Sequence, residues 1–175
     1  MRVWDLPVRL LHWTWVLALA AATLGLWWFS RWHQPAGYTA LAAMLLRLAW
    51  SGLGGRHARF TQFLRSPRAT WAYARQVGRG TAPRYVGHNP LGAWMIVALM
   101  LNVGGLAFSG WLYTSDRFWG DETVEDVHRT LAWSLLALVT LHVVGIVFTS
   151  LRQRENLVAA MFSGHKRDAA PGDVP

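Results

Sequence analysis

Residues 10–30 read LLHWTWVLALAAATLGLWWFS and have the length and composition of a membrane-spanning helix. One residue does not fit this pattern, because His12 lies about one turn inside the apolar run. An imidazole placed against hydrocarbon loses its water and needs a compensating partner, so an ionisable residue inside a span is a functional-site candidate. The apolar run is too long for a secretory signal and no convincing small-x-small cleavage site follows it, so we expect the segment to be retained.

The composition of the whole chain indicates the same class of protein. The 175 residues are 53% hydrophobic and include twelve Trp, and the mean hydropathy is positive, which is typical of an integral membrane protein. The chain has no Cys, which excludes disulfides, thiolate metal sites and covalent haem attachment. Histidine is therefore the natural ligand for any tightly held metal or haem.

Four apolar stretches are long enough to cross a bilayer, which predicts an all-α integral membrane protein built as a four-transmembrane-helix bundle. We place the four helices at about residues 8–30, 34–53, 90–113 and 124–151. The loop at residues 54–88 mixes arginines with aromatic residues and is predicted to be amphipathic and to lie on the membrane. Residues 152–163 are predicted to form a surface helix that ends at Gly164, and residues 166–175 a disordered tail. The membrane domain then covers residues 1–165.

The distribution of Arg and Lys predicts the orientation of the helices. Basic residues precede the first helix, fill the 54–88 loop and follow the fourth helix, whereas residues 116–126 carry five acidic residues and one arginine. The positive-inside rule therefore places both termini and the 54–88 loop in the cytoplasm. The net charge of +8 is explained by a basic face beside the anionic lipid of the bilayer, without nucleic acid as a partner.

The histidines of the predicted helices form two groups by depth. His12 lies near the cytoplasmic end of the first helix, and His33 begins the second helix on the periplasmic side. The fourth helix carries His128 and, fourteen residues later, His142. Fourteen helical residues turn about 1400°, some 40° short of four full turns, and rise roughly 21 Å, so both imidazoles share one face. Depth therefore pairs His142 with His12, and His128 with His33.

Two pairs of facing imidazoles in a helical bundle are expected of bis-histidine haem b, with each iron held between helices. We therefore predict two haems, with His12 and His142 as axial ligands on the cytoplasmic side and His33 and His128 on the periplasmic side. Arg47 lies fourteen residues after His33 and points from the same helix face toward the cytoplasmic pair, where it could hold haem propionates. The alternative is an arginine that snorkels to the interface.

The other histidines have simpler interpretations. His88, in the segment GHNP, either organises the start of the third helix or relays protons beside a quinone. His57 and His165 lie among basic residues in cytoplasmic segments and are interpreted as surface histidines.

Several sequence motifs follow one another in an order found in a known family. They are VRLLHW at the start of the first helix, HQPAGYTALAAMLLRLAW in the second, RYVGHNPLG before the third, VHRTLAWSLLALVTLH in the fourth and RQRENLVAAMFSGHKR after it. Together they cover the chain from Val8 to Arg167 and resemble the bacterial cytochrome b561 superfamily. The chain is most similar there to the b-type cytochrome subunits of membrane-bound nickel–iron hydrogenases.

This resemblance implies a multi-pass protein of the bacterial inner membrane that binds two haems b through the same four histidines. It implies electron transfer between the quinone pool and a periplasmic redox partner, either a hydrogenase-like subunit or a c-type cytochrome. Two features differ from typical hydrogenase subunits: the 54–88 loop is shorter, and the fourth helix begins with His128-Arg129 where many of those subunits have two histidines. Whether the chain is itself an enzyme, and whether it forms a homo-oligomer, stays open.

Two other classes of function fit parts of the pattern. A free-standing quinone-linked oxidoreductase could exchange electrons with a small oxidant such as superoxide. A transition-metal or proton-coupled transporter would use the histidines to bind an ion or relay protons, although Asp and Glu are absent from the apolar spans themselves, residues 10–29, 35–53, 91–113 and 130–151. A purely structural anchor would leave histidines within spans without a physical reason.

Overall fold

The computed structural model describes residues 1–28, 30–55 and 58–174, with side chains at all of these except 25–28 and 30. The described residues form seven helices: α1 (Leu6–Trp28), α2 (Ser30–Leu53), α3 (Phe60–Phe63), α4 (Pro67–Gly78), α5 (Pro90–Tyr113), α6 (Glu122–Gln153) and α7 (Leu157–Ser163). Some predictions concern residues outside this description: Phe29 in the first predicted helix, Arg56 and His57 in the 54–88 loop, and Pro175 in the tail.

Three helices in the described part of the chain are long and apolar enough to cross a membrane: Leu6–Leu24 within α1, Pro90–Tyr113 and Glu122–Gln153. The second predicted span has a helix at its position, but Arg31, His33 and Arg47 reduce the mean hydropathy of α2. With 24 residues, α2 still has the length of a span, since 1.5 Å per residue gives about 36 Å. The fold is therefore that of an all-helical, multi-pass membrane protein.

Capping residues begin α4 and α5. Ser66 is the N-cap of α4, where its hydroxyl accepts a hydrogen bond from a first-turn backbone N–H. Asn89 Oδ1 accepts one from the Gly92 backbone N–H at 2.8 Å before α5. A proline follows each cap, Pro67 after Ser66 and Pro90 after Asn89. Proline suits this first helical position because a backbone N–H there would have no partner within the helix. Local sequence thus sets where both helices start.

The end of the chain has a different helix pattern from the predicted surface helix at residues 152–163. Helix α6 continues to Gln153 and a separate helix, α7, follows. Asn156 Oδ1 accepts a hydrogen bond from the Ala159 backbone N–H at 2.9 Å, so Asn156 caps a new helix instead of continuing the old one. Gly164 ends α7 with φ of 82°, a left-handed conformation that glycine adopts without strain.

The described residues form two compact units. Unit 1 comprises Met1–Arg9, Ala49–Val97 and Leu141–Pro175, and unit 2 comprises Leu10–Leu48 and Ala98–Thr140. Each of the four long helices contributes residues to both units. The units are described separately below.

The apolar core of unit 1 gathers side chains from segments that are remote in sequence. The backbone N–H groups of Val3 and Trp4 donate to the Gly164 carbonyl oxygen at 2.9 and 3.1 Å, which fixes the N-terminus beside the end of α7. The buried core residues are Val3, Trp4, Val8, Ala58 and Val86, with Trp50 and Met161 packed against them.

The C-terminal residues differ from the prediction of a disordered tail at residues 166–175. Arg84 donates through Nη1 to Asp173 at 2.5 Å and through Nη2 to Glu155 at 2.9 Å. All three side chains are less than a tenth exposed. The tail contains few apolar residues, so composition predicted disorder, but a buried arginine elsewhere in the chain holds it in place.

Helix α4, inside the predicted 54–88 loop, is amphipathic. Tyr73 is buried, whereas Trp71 is 67% exposed on the other side of the helix and is flanked by the exposed Arg68 and Arg75. This pattern suits a helix at a polar–apolar boundary. That the loop lies on the membrane stays a prediction.

Small residues allow the helices of unit 2 to approach one another closely. Ala40 and Ala43 of α2 are buried. A Cβ added at Gly105 of α5 would lie 3.2 Å from Leu131 Cδ1 of α6. Glycine at this position therefore lets α5 and α6 pack with little space between their backbones.

Candidate functional site

Unit 2 brings together two of the predicted ligands, His33 and His128. His33 lies in the first turns of α2 and His128 in the second turn of α6, so two helices from different parts of the chain each supply one ring. The ring centroids are 5.9 Å apart and the ring planes are inclined at 75°. The pairing by depth along the helices and the arrangement in space agree for these two residues.

Both rings are held by hydrogen bonds to Nδ1. His33 Nδ1 is 2.9 Å from the Ala22 carbonyl oxygen of α1, which can only accept, so Nδ1 carries the proton. His128 Nδ1 is 2.9 Å from Ser109 Oγ of α5. In a neutral imidazole protonated at Nδ1, the lone pair is on Nε2, the form that binds a metal while the other nitrogen donates to an outer acceptor.

The spacing of the two rings fits one metal ion bound between them. Nitrogens bound to opposite sides of a metal at about 2 Å place the ring centres roughly 6 Å apart, and the observed distance is 5.9 Å. A pair of neutral imidazoles is also the ligand set of a bis-histidine haem. His33 and His128 are therefore placed where they could hold a haem b between them.

The wall beside His128 is built from two small residues of α5. A Cβ added at Gly110 would lie 3.2 Å from His128 Cε1, so a larger residue there would displace the ring. Ser109 is only 4% exposed. Sequence reasoning missed Ser109, and the signal that could have found it is its position next to Gly110 in the third predicted helix.

A cavity of about 280 Å³ lies between α5 and α6 near this wall. Its lining includes Ser109 and Gly105 of α5 and Val124, Val127 and Leu131 of α6. The lining is apolar apart from hydroxyl groups, so the environment of the Ser109–His128 hydrogen bond is one of low polarity, which strengthens such a bond.

The other predicted site residues are distributed over both units. His12 is half-buried in unit 2, where its ring contacts that of Trp13 at a centroid distance of 5.2 Å. His142 is half-buried in unit 1. Arg47 is 9% exposed in unit 2, which favours a guanidinium inside the protein over one that snorkels out to the interface. The predicted pairing of His12 with His142, and the propionate role of Arg47, stay predictions.

His88 packs between aromatic rings in unit 1. Its ring centroid is 4.5 Å from that of Trp4 and 4.6 Å from that of Phe63. These contacts support the interpretation that His88 organises the segment before α5. His165 is exposed and its Nδ1 contacts the nearby Ser163 carbonyl oxygen at 2.9 Å, as expected of a surface histidine.

No group of three or more His, Asp or Glu side chains in the described residues is arranged to hold a bare metal ion. The fold and the site together define an all-helical membrane protein with a histidine pair suited to haem. A family model described as prokaryotic cytochrome b561 matches residues 3–164. The chain belongs to this family, and haem b is the cofactor that a family of b-type cytochromes implies.

Several curated proteins resemble the chain over most of its length. A protein of Azotobacter vinelandii named "Probable Ni/Fe-hydrogenase B-type cytochrome subunit" is 26% identical over 93% of this chain and 86% of its own length. Proteins with the same name from Cupriavidus necator, 24% identical over 94% of this chain and 86% of their own length, and Bradyrhizobium diazoefficiens, 25% identical over 77% and 65%, also match. No solved structure matches the chain.

Proposed function

We propose that the chain is a dihaem b-type cytochrome that carries single electrons across the bacterial inner membrane, between the quinone pool and a periplasmic redox partner. The observation that carries this proposal is the pair of facing imidazoles, His33 and His128, 5.9 Å apart with both Nδ1 atoms hydrogen-bonded. A pair arranged in this way has metal ligation as its simplest use.

The residues of this site would orient the cofactor and limit the chemistry to electron transfer. Haem b supplies a one-electron iron couple when bound. His33 and His128 would hold one haem between them, and a haem held by two imidazoles would serve electron transfer and not substrate binding. The Ala22 carbonyl oxygen holds His33 in the tautomer with a lone pair on Nε2, and Ser109 would do the same for His128 when its Oγ accepts from Nδ1. Both rings are half-buried and both Nδ1 atoms are hydrogen-bonded, so an electron would be exchanged without proton chemistry at these rings.

We infer the second haem from the sequence alone. His12 and His142 lie at the same predicted depth, and the fourteen-residue spacing puts His142 and His128 on one face of their helix. Two haems at two depths would form a relay across the membrane. A single haem near one face of the membrane could not span that distance. Arg47 would contribute a positive charge on the cytoplasmic side of this relay and bind propionates.

The proposed partner on the periplasmic side is a hydrogenase-like subunit or a c-type cytochrome. The first alternative is supported by the name that the curated relatives share. The second is compatible with the two departures from typical hydrogenase subunits, the short 54–88 loop and the His128-Arg129 sequence. The acidic segment at residues 116–126 would present a negative surface, so a partner with a basic docking face is expected.

The test is haem quantitation with a reduced-minus-oxidised spectrum on the purified protein and on four variants. We expect about two haems b per chain in the natural sequence. His33→Ala and His128→Ala should each remove the same one of the two, and His12→Ala and His142→Ala the other. His165→Ala is the control, because that ring is exposed and contacts its own turn. A protein without haem would refute the proposal and favour a transporter.

The direction of electron flow between quinone and the redox partner is tested with the same purified protein. Addition of a quinol should reduce the haems under anaerobic conditions, and a c-type cytochrome or a hydrogenase-like protein should then reoxidise them. Reoxidation by superoxide without any protein partner would favour the free-standing oxidoreductase. No reduction by quinol would contradict the proposed quinone link.

A further inference from the structure

Ser109 occupies a position that the sequence does not single out. It is 4% exposed in α5, and its Oγ contacts His128 Nδ1 at 2.9 Å and the Leu106 carbonyl oxygen at 3.2 Å. A serine hydroxyl has one proton and two lone pairs. Ser109 Oγ donates to the Leu106 carbonyl oxygen, which uses its one proton, so in this arrangement Oγ accepts the hydrogen bond from His128 Nδ1–H.

The hydroxyl therefore determines the state of the imidazole in three ways. It keeps the proton on Nδ1 and the lone pair on Nε2, it fixes the rotation of the ring, and it draws the Nδ1 proton toward oxygen. An acceptor at Nδ1 makes the imidazole more electron-rich and a stronger donor to a bound metal. His33 Nδ1 donates its hydrogen bond to a main-chain oxygen, that of Ala22. A side-chain substitution does not remove that acceptor. Of the two hydrogen-bond acceptors, Ser109 Oγ is thus the one that a substitution can remove.

We propose that Ser109 is a positioning residue that lowers the reduction potential of the haem bound by His33 and His128, by accepting the Nδ1–H hydrogen bond of His128. This inference rests on the proposed function. When bound, the haem would supply a one-electron couple, and the proton would stay on His128 Nδ1, so no proton acceptor would be required. A more strongly donating imidazole stabilises the oxidised iron, which has the higher charge, and reduction becomes less favourable.

A second interpretation is that Ser109 only links α5 to α6 and supports packing. The two interpretations differ in what they predict for a protein that still binds haem. A structural role would change haem content or thermal stability and leave the potential of the remaining haem unchanged. A tuning role would change the potential at unchanged haem content.

The experiment is a redox titration of the purified, haem-loaded protein, followed by its visible spectrum, for the natural sequence and for Ser109→Ala. We expect the potential of one haem to rise, with a change of roughly tenfold in its reduced-to-oxidised ratio at a fixed ambient potential, or ~59 mV for a one-electron couple. The other haem should keep its potential. Ser109→Thr retains the hydroxyl and should restore the natural value.

Two further variants keep the inference testable. Ser109→Cys has nearly the same shape but offers sulfur, a weak acceptor, and should raise the potential even if Ser109→Ala does not fold. Ser134→Ala is the matched control, because its hydroxyl bonds to the Thr130 carbonyl oxygen of its own helix at 2.9 Å and is exposed, and it should leave both potentials unchanged.

The outcomes separate this inference from the proposed function. If the natural protein binds two haems but Ser109→Ala and Ser109→Cys leave both potentials unchanged, the tuning role is wrong and the dihaem cytochrome stands. If the natural protein binds no haem, the proposed function fails first. Equal rises at both haems would also overturn the inference, because they would indicate a general change in packing.

Discussion

The two compact units bury polar side chains in different ways. In unit 1, Arg84 is enclosed by the carboxylates of Glu155 and Asp173, so the positive charge is balanced within the chain. In unit 2, two imidazoles face each other, and the hydrogen bonds of His33 and His128 among the described residues are made through Nδ1. The charges of the first cluster are balanced by its own residues, whereas the imidazole nitrogens of the second are suited to bind a cofactor.

This difference separates groups that hold the fold from groups that suit a cofactor. A buried charge is tolerated when opposite charges and hydrogen bonds surround it, and breaking such a group is costly. Burial acts to lower the pKa of Arg84, but the hydrogen bonds and charges of Glu155 and Asp173 outweigh it and raise that pKa. Two neutral imidazoles gain no such charge attraction from each other, and their spacing and hydrogen bonds suit them to hold a cofactor between them.

The largest effect is expected from Arg84→Met. The substitution leaves Glu155 buried without its partner, which should lower the free energy of unfolding by about 3 kcal/mol. Thermal unfolding and protease cleavage of the C-terminal tail would measure it. Arg129→Met is the control, because the ion pairs of Arg129 with Glu125 and Asp126 of α6 are exposed and worth less than about 0.5 kcal/mol each. Similar losses in the two variants would show that the Arg84 cluster does not hold the tail.

Gly110→Ala should disturb the histidine pair without touching unit 1. The added methyl would lie 3.2 Å from His128 Cε1, so the ring must shift, and we expect haem affinity at this pair to fall about tenfold. Haem titration into the haem-depleted protein measures the change. Gly37→Ala is the matched control, since a Cβ there meets nothing within 4 Å. Unchanged affinity in Gly110→Ala would mean that the ring has room to move.

Arg47→Gln tests whether the buried charge of Arg47 acts on a cofactor, whereas the charge of Arg84 holds the fold. If Arg47 lies near the cytoplasmic haem, removing its positive charge should make reduction of that haem harder by roughly threefold, or ~30 mV. The natural protein should also show two separate haem transitions, because residues 116–126 are acidic and disfavour reduction on the other side. A single unsplit transition, or a shift of the His33–His128 haem instead, would contradict this placement.

A dependence of stability on pH is also expected in unit 1. Burial lowers the pKa of Lys166 to about 8 from its ordinary 10.5, although Glu155 acts to raise it. Between these two values the folded chain binds fewer protons than the unfolded chain, so stability rises as pH rises through this window. Below it the lysine is charged in both states and the dependence disappears.

Thermal unfolding of the natural protein and of Lys166→Met at several pH values from about 7 to 11 would measure this slope. The upward slope should be absent from Lys166→Met, because Met has no titrating group. A slope of equal size in both proteins would assign it to other residues.

The acidic side of the same cluster should behave in the opposite way. Burial acts to raise the pKa of Glu155, but hydrogen bonds from Arg84 and from the Arg167 backbone outweigh it and hold the pKa below its usual range. The stabilisation is present above the ordinary pKa of a glutamic acid and is lost as pH falls through the lowered value. Glu155→Gln should remove this acid sensitivity, which protease release of the tail would detect.

Much of the fold could be predicted from the sequence because helices depend on local patterns. Apolar runs, the Asn89-Pro90 start of α5 and the end of α7 at Gly164 each involve residues a few positions apart. The same local geometry gave the relative depth of the histidines, since rise and rotation per residue are constant in a helix. The haem prediction, like the family resemblance, needed no knowledge of how the helices pack.

Only the tertiary structure could identify Ser109 and Ala22 as the partners of the histidine rings. It was also needed to find Arg84 as the residue that holds the tail, because its two acidic partners are 71 and 89 positions away. Such contacts depend on how separate segments pack, and nothing in the local sequence of either partner encodes the other. Sequence periodicity therefore determined which residues share a face and a depth. Packing decided which atoms come into contact, and whether the hydrogen bonds of a buried group are all made by its neighbours or leave an atom available to a cofactor.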